Sequence, residues 1–223
     1  MSIYKDTLSI QIHKENSMSQ ERLTKLLESV DRALRSKSTE NPWDEYVPVI
    51  SKGNDHTVFL TEAFADPSMY NKLCYCLMNA SEEDQFKLVI NSLGGTLDSA
   101  FMITDAIVKS KAHVTAYLAG TVASAATIIA LSCDTLETTD NLSFMIHNYS
   151  SSGMQGKGHE MKARQTFIDK ELNKSFNRYY KGFLSQQEIE DVIEGKDIWL
   201  NSEEVMQRWH KRQEDTSLLK KAS

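Results

Sequence analysis

The sequence predicts an α/β protein built around a largely parallel β-sheet. Short apolar segments rich in β-branched residues alternate with amphipathic helical segments between residues 46 and 210. Glycine or polar residues separate most of these segments, as expected at turns between strands and helices. The chain has 223 residues, of which 40% are hydrophobic and 25% charged. It can therefore bury the core of one sizeable domain and still carry an appendage.

Three regions are predicted along the chain: an extension at 1–45, a main domain at 46–210 and a polar tail at 211–223. In the extension, Ser19 can cap a helix whose apolar residues recur every three or four positions. Those apolar residues are Leu23, Leu26, Leu27, Val30 and Leu34. The helix could pack on its own domain or on a neighbouring subunit, or it could be a partner-binding arm, and the sequence leaves these alternatives open. The tail is expected to be loose.

The elements of the main domain follow from its apolar pattern. In chain order the pattern predicts strand 56–60, helix 67–78, strand 86–90, a helix starting after Thr96, strand 113–118, helix 121–131 and strand 142–146. Each strand is a short apolar run, whereas each helix carries apolar residues at helical spacing. A long charged helix at 157–183 follows, and short helices at 189–192 and 203–209 flank a strand at 198–200.

Charge and composition argue against several classes of function. The net charge of −6 and the lack of a basic stripe disfavour a nucleic-acid binder. Cys74, Cys76 and Cys133 have neither disulfide nor zinc-site spacing, so we expect buried free thiols, no metal and no cofactor. The N-terminal residues lack the apolar centre of a signal peptide, and no run of about 18 apolar residues occurs. We therefore expect a cytoplasmic protein without membrane contact.

A serine in a small-residue segment is the first candidate for chemistry. Ser124 lies in residues 120–127, GTVASAAT, where a strand is expected to give way to a helix. Small neighbours let a substrate approach, and the first N–H groups of a helix are free to meet negative charge. These features suit a nucleophile beside half of an oxyanion hole. The segment is not a GxSxG elbow, because Val122 and Ala126 replace its glycines. On its own, the segment favours a structural serine.

A glycine turn is the second candidate. Residues 91–95, NSLGG, follow a predicted strand, and two glycines allow positive φ and the close approach of another chain. The N–H of Gly95 could then be a second oxyanion donor. An ordinary strand-to-helix turn explains the segment equally well. A phosphate loop is disfavoured because neither GxxxxGK[ST] nor GxGxxG is present.

A histidine and an acid complete the candidate set. His147 follows an apolar strand, where an imidazole could shuttle a proton between a serine and a leaving amine. Asp197 precedes the strand at 198–200 and could orient His147, with Asp191 and Glu194 as local competitors. A surface histidine and a turn acid are the alternatives.

Taken together, five segments resemble the proteolytic subunit of the Clp protease, the ClpP type of serine peptidase. They are residues 90–95 (INSLGG), 120–126 (GTVASAA), 145–147 (MIH), 154–156 (MQG) and 196–200 (KDIWL). Their order and approximate spacing agree over about residues 46–206, and five agreeing motifs are far more specific than any single one. The resemblance implies an α/β fold of the ClpP/crotonase type, with a core of ββα repeats, a long handle helix and, here, an N-terminal helical extension.

The resemblance assigns a role to each candidate residue. Ser124 matches the nucleophile, His147 the general base and Asp197 the third member of a Ser-His-Asp triad. The backbone N–H groups of Gly95 and Ala125 match the oxyanion hole. These roles imply a serine endopeptidase that hydrolyses unfolded proteins or peptides.

The resemblance also implies an assembly. The family forms a compartment of two seven-membered rings, in which the helix at 157–183 corresponds to the handle between rings. The segment from 148 to about 156 corresponds to the strand that pairs with an extended substrate. The family works with an ATP-driven AAA+ unfoldase. Lys87 and Val89 stand where the family carries tyrosines of the docking pocket, so we expect altered docking.

The departures from the family pattern favour a divergent relative, such as one encoded by a phage. Leu93 replaces a proline, and Ala125 replaces a methionine whose role is carried by its backbone. Three other functions stay open at this point. They are a catalytically inactive Clp-like scaffold subunit, an ATPase-independent maturation protease and a crotonase-type protein that binds acyl-CoA.

Overall fold

The structure is a computed structural model, and it describes residues 47–151 and 155–222. Within these ranges the chain forms one seven-stranded sheet and six α-helices. The strands are β1 (Val49–Lys52), β2 (Asp55–Leu60), β3 (Gln85–Ser92), β4 (His113–Ala123), β5 (Thr135–Thr138), β6 (Ser143–Ile146) and β7 (Ile198–Leu200). The helices are α1 (Asn71–Asn79), α2 (Leu97–Lys109), α3 (Ala125–Ala130), α4 (Gly158–Tyr180), α5 (Gln186–Ile193) and α6 (Ser202–Ala222). None of the described helices is long and apolar enough to cross a bilayer.

The sheet is parallel in its centre and antiparallel at both edges. Its strands lie in the order β1-β2-β3-β4-β6-β7, and β5 also pairs with β4. The pairings of β2 with β3, and of β4 with β3, β5 and β6, are parallel. The edge pairings β1–β2 and β6–β7 are antiparallel. The carboxyl ends of β3, β4 and β6 therefore meet at one edge of the sheet, where ligands commonly bind in parallel α/β proteins.

Alternation along β3 shows how the sequence places the core. Phe86, Leu88 and Ile90 are at most 2% exposed, whereas Gln85 and Lys87, which alternate with them, are exposed to solvent. A strand directs successive side chains to opposite faces, so only one face of this sheet carries the main apolar layer. Helix α2 covers that layer with buried residues spaced three or four apart, which are Ala100, Ile103, Ala106 and Ile107.

The helix predicted at 121–131 is wrong in its first part. Residues Thr121, Val122 and Ala123 belong to β4 and pair with Ser143, Phe144 and Met145 of β6. The β-branched side chains of the first two residues fit a strand, and tertiary pairing decides the conformation of this short segment. Helix α3 is therefore confined to Ala125–Ala130, and all six of its residues are buried.

Other differences concern two short strands and the last helix. The strands Val49–Lys52 and Thr135–Thr138 were not expected, because each is only four residues long and carries little apolar pattern. Helix α6 runs to Ala222, so the tail expected to be loose is helical instead. Asn201 and Glu204 cap its start reciprocally, with each backbone N–H donating to the other side chain. The predicted helix after Ser19 lies outside the described residues.

The three cysteines are free, as predicted. Cys74 and Cys133 are buried, whereas Cys76 is partly exposed. Burial raises the pKa of the Cys74 thiol to about 12 and raises that of Cys133 further. The two buried thiols therefore behave as small apolar groups and not as nucleophiles.

Candidate active site

Ser124 occupies the junction between β4 and α3. Its backbone has φ 56° and ψ −128°, and it is the only non-glycine residue with positive φ among those the structure describes. The Ser124 N–H donates to the carbonyl of Met145 at 2.9 Å, which ties this junction to the end of β6. A serine held in this sparsely populated conformation between a strand and a helix projects from the sheet edge, as nucleophiles on strained turns do.

The glycine turn after β3 lies directly against that junction. Gly94 has φ 93°, and a Cβ on it would lie 2.7 Å from both the Ala123 carbonyl oxygen and the Ser124 Cβ. Only glycine fits there, since real Cβ atoms do not approach other atoms so closely. The two segments are therefore packed backbone to backbone.

Gly95 is held from its other side by Phe64. The Phe64 N–H donates to the Gly94 carbonyl at 2.8 Å, and the Thr96 N–H donates to the Phe64 carbonyl at 2.8 Å. In such a parallel bridge the residue between the two bonded positions turns its own N–H away from the partner. Gly95 thus directs its amide away from Phe64, and no backbone bond of this bridge uses it.

His147 and Asp197 are placed by the antiparallel pairing of β6 with β7. Phe144 pairs with Leu200 and Ile146 with Ile198. His147 directly follows β6 and Asp197 directly precedes β7, so both adjoin the same end of this ladder. His147 is half-buried and Asp197 is exposed.

The two competing acids have other surroundings. The Asp191 carboxylate accepts hydrogen bonds from Lys196 at 2.8 Å and Gln187 at 3.1 Å. The bond from Lys196 holds the pKa of Asp191 below its ordinary value. Glu194 ends helix α5 and is exposed. Neither residue adjoins β7 directly, as Asp197 does.

A cavity of about 60 Å³ joins four of the five predicted site residues. Gly95, Ser124, Ala125 and His147 all line it, and Asp197 does not. The rest of the wall is mainly apolar and comes from α2, α3 and α4, with Leu97, Phe101, Ile128, Leu172 and Phe176. The cavity can therefore receive an apolar side chain beside a hydroxyl, an imidazole and two backbone amides.

The loop after β6 forms the outer wall. Asn148 donates to the Ile193 carbonyl at 2.8 Å, which fastens the loop to the end of α5. Tyr149 lines the cavity and its hydroxyl donates to Asp169 of α4, where Gln165 also donates to Asp169 at 2.7 Å. The hydrogen bond to Asp169 raises the pKa of Tyr149. Residues 147–151 are not in a strand, so the predicted substrate-pairing strand stays a prediction.

No hydrogen bond joins the side chains of Ser124, His147 and Asp197 within 47–151 and 155–222. Catalytic contacts in proteases are often loose before a substrate is bound. Ser124 and His147 nevertheless face one cavity from neighbouring strand ends.

A sequence model of the Clp protease family matches residues 44–208, about three quarters of the chain. This chain belongs to the Clp protease family. Membership supports a peptidase function, and together with the mixed sheet it confirms the α/β class and the family expected from the sequence. No curated protein sequence matches the chain.

Sequence reasoning missed two polar residues near this candidate site and the helix face that lines its cavity. Thr127 and Tyr180 form a buried hydrogen bond of 2.7 Å behind Ser124. The spacing of Leu172, Phe176 and Tyr180, four residues apart, could have identified the helix face that walls the cavity. Nothing in the sequence pairs Thr127 with Tyr180, because 53 residues separate them.

Proposed function

We propose that this chain is a serine endopeptidase in which Ser124 is the nucleophile, His147 the general base and Asp197 the residue that orients His147. The observation that carries the proposal is the cavity that Gly95, Ser124, Ala125 and His147 all line, with Ser124 in a strained turn. The resemblance of five segments of the chain to family motifs supports it. The apolar wall suits an apolar substrate side chain next to the cleaved bond.

The proposed reaction is acyl transfer. Ser124 Oγ attacks the peptide carbonyl while His147 accepts its proton, and the N–H groups of Gly95 and Ala125 bind the oxyanion that forms. His147 then gives the proton to the leaving amine as the C–N bond breaks. Water attacks the acyl-enzyme with His147 again as base, and the proton returns to Ser124 Oγ as the acid product leaves.

Covalent labelling tests the nucleophile. A fluorophosphonate probe should label the wild-type chain at one site, and the Ser124→Ala variant should not be labelled. Ser132→Ala is the matched control, since Ser132 does not line the cavity and its hydroxyl donates to the Ile128 carbonyl at 2.8 Å. Peptide hydrolysis by Ser124→Ala should fall to the roughly 10³–10⁴-fold enhancement over water that binding and the oxyanion hole alone provide. An unlabelled wild type would favour the inactive scaffold over the peptidase.

We also propose that the subunits assemble into face-to-face rings. The support in the structure is α4, whose first thirteen residues, 158–170, include no buried side chain. A helix that buries so little of itself is stabilised mainly by packing on something else. A native mass of about fourteen copies is expected in solution, and a stable monomer would contradict the proposal.

In the Clp protease family, the partner ATPase docks on the sheet face that carries the positions of Lys87 and Val89. That face carries Lys87, which pairs with Glu137 at 2.9 Å and lies 5.6 Å from the centre of the Tyr117 ring. A charged pair in place of an aromatic pocket supports weak docking of a standard unfoldase. Degradation of an unfolded protein should therefore need no unfoldase or ATP, and a strict requirement for both would contradict this.

A further inference from the structure

The carbonyl of Ser124 is held by two hydrogen bonds from one residue. The Thr127 N–H donates to it at 2.9 Å, and the Thr127 hydroxyl donates to it at 2.6 Å. A threonine hydroxyl that bonds back to the carbonyl three residues earlier is a local motif of turns and helix starts. Here the turn is the one that carries the candidate nucleophile.

Fixing this carbonyl fixes an oxyanion donor. The carbonyl of Ser124 and the N–H of Ala125 belong to one planar peptide unit, in which they point in opposite directions. Two bonds on the oxygen side therefore set the direction of the Ala125 N–H on the other side. Ala125 is the first residue of helix α3 and lines the cavity, and an N–H in the first turn of a helix has no partner within that helix.

The hydroxyl of Tyr180 completes the chain of bonds. It lies 2.7 Å from Thr127 Oγ1, and Tyr180 is only 2% exposed. A threonine hydroxyl has one proton, and Thr127 spends it on the Ser124 carbonyl. Tyr180 must then be the donor to Thr127 Oγ1. Burial raises the pKa of Tyr180, so the phenol keeps the proton it donates.

We propose that Tyr180 and Thr127 are positioning residues that aim the Ala125 N–H at the oxyanion through the shared peptide unit of Ser124. Tyr180 rotates the Thr127 hydroxyl toward the Ser124 carbonyl, and Thr127 holds the peptide plane. Helix α4 thereby sets one half of the oxyanion hole from outside the triad. This inference rests on the proposed peptidase function.

The test compares variants that remove or keep single hydroxyl groups. Tyr180→Phe and Thr127→Val should each lower kcat for a fluorogenic peptide, and the rate of fluorophosphonate labelling, by about tenfold, the effect of losing one hydrogen bond. KM should stay within about twofold, because the contact is made to the transition state. The double variant should again lose about tenfold and not a hundredfold, since both residues act through one carbonyl.

Two controls separate positioning from folding. Thr127→Ser keeps the hydroxyl and should retain the wild-type rate, whereas Tyr179→Phe removes a neighbouring phenol that has no hydrogen-bond partner among the described residues and should change nothing. Rates are normalised to the folded fraction from thermal unfolding. Unchanged kcat in folded Tyr180→Phe overturns the inference while labelling of the wild type upholds the peptidase. An unreactive wild type overturns both.

Discussion

At the residue scale, Ser124 has a strained backbone, as the one non-glycine residue with positive φ in the described part of the chain. Its φ of 56° with ψ of −128° is a region that glycine populates freely and other residues populate at a cost of about 1–3 kcal/mol. The hydrogen bonds from Thr127 and to Met145 hold it there. Stability is therefore given up at the position of the proposed nucleophile.

This strain predicts an inverted order of stability for two inactive variants. Ser124→Gly should be more stable than Ser124→Ala by about 1 kcal/mol or more, because glycine relieves the strain and alanine keeps it. At most other positions glycine is the less stable of the two. The free energy of unfolding of both variants in urea checks this. Equal values, or a more stable alanine variant, would mean that the conformation carries no strain.

The identity of the orienting acid is the second residue-scale prediction. Asp197→Asn should lower kcat by roughly 10⁴-fold, as loss of the orienting carboxylate does in other triads. Asp191→Asn and Glu194→Gln are matched controls that should stay within a few fold of wild type. The expected difference follows from chain position, because Asp197 directly precedes β7, the strand that pairs with β6 just before His147. Steady-state peptide hydrolysis decides among the three, and a large loss in either control reassigns the role.

At the element scale, helices α5 and α6 are joined by a clamp on Glu188. Ser185 and Glu188 form a capping box at the start of α5, and Arg208 of α6 donates to both Glu188 oxygens at 2.8 and 3.1 Å. The bond from Arg208 lowers the pKa of Glu188 from 4.5 to about 2. These two helices flank β7 along the chain, so the clamp steadies the strand that Asp197 precedes.

The clamp predicts a pH dependence of stability. A carboxyl group whose pKa is depressed in the folded state stabilises it above the ordinary value of 4.5, and the stabilisation is lost as pH falls toward about 2. Arg208→Met should therefore lower Tm at neutral pH. Between about pH 5 and about pH 2.5 the Tm of Arg208→Met should fall less than the Tm of wild type, because the variant has no clamp to lose. Lys174→Met, which breaks an exposed pair with Glu171, is the control and should follow wild type. Parallel curves for Arg208→Met and wild type would show that the clamp does not hold in solution.

Elements also show where sequence reasoning succeeds. The strand at 198–200 was predicted with its observed bounds, because an apolar triplet between two polar turns has few alternatives. The sequence pattern places the segment 121–123 in the following helix. Its strand conformation depends on pairing with β6, which is distant in sequence and which the local pattern does not reveal. The order of the motifs was enough to predict one common site for Ser124, His147, Gly95 and Ala125, which line one cavity. The bond between Thr127 and Tyr180 could not be predicted, since it depends on the packing of α4 against α3.

At the scale of the whole molecule, the two halves of α4 differ in burial. Its second half buries Leu172, Phe176, Tyr179 and Tyr180 against the domain. Its first thirteen residues include no fully buried side chain, and among them Phe167 has 65% of its surface exposed. An exposed aromatic side chain on a projecting helix suits a contact with another subunit.

Assembly should therefore depend on Phe167. Phe167→Asp is expected to shift the native mass from about fourteen copies toward single rings or smaller species, because it places a charge in the contact. Ala163→Asp introduces the same charge at another exposed position of this half of α4 and serves as the matched control. Analytical ultracentrifugation measures both. A Phe167→Asp variant with the wild-type mass would remove this half of α4 from the interface.

The edge strand β7 has only three residues and three pairings with β6, and it is the last strand of the sheet. Short ladders at a sheet margin fray more readily than central ones. Asp197 directly precedes this strand, whereas Ser124 follows the central strand β4. We therefore expect loss of the three β6–β7 pairings to displace the proposed orienting acid before it displaces the proposed nucleophile.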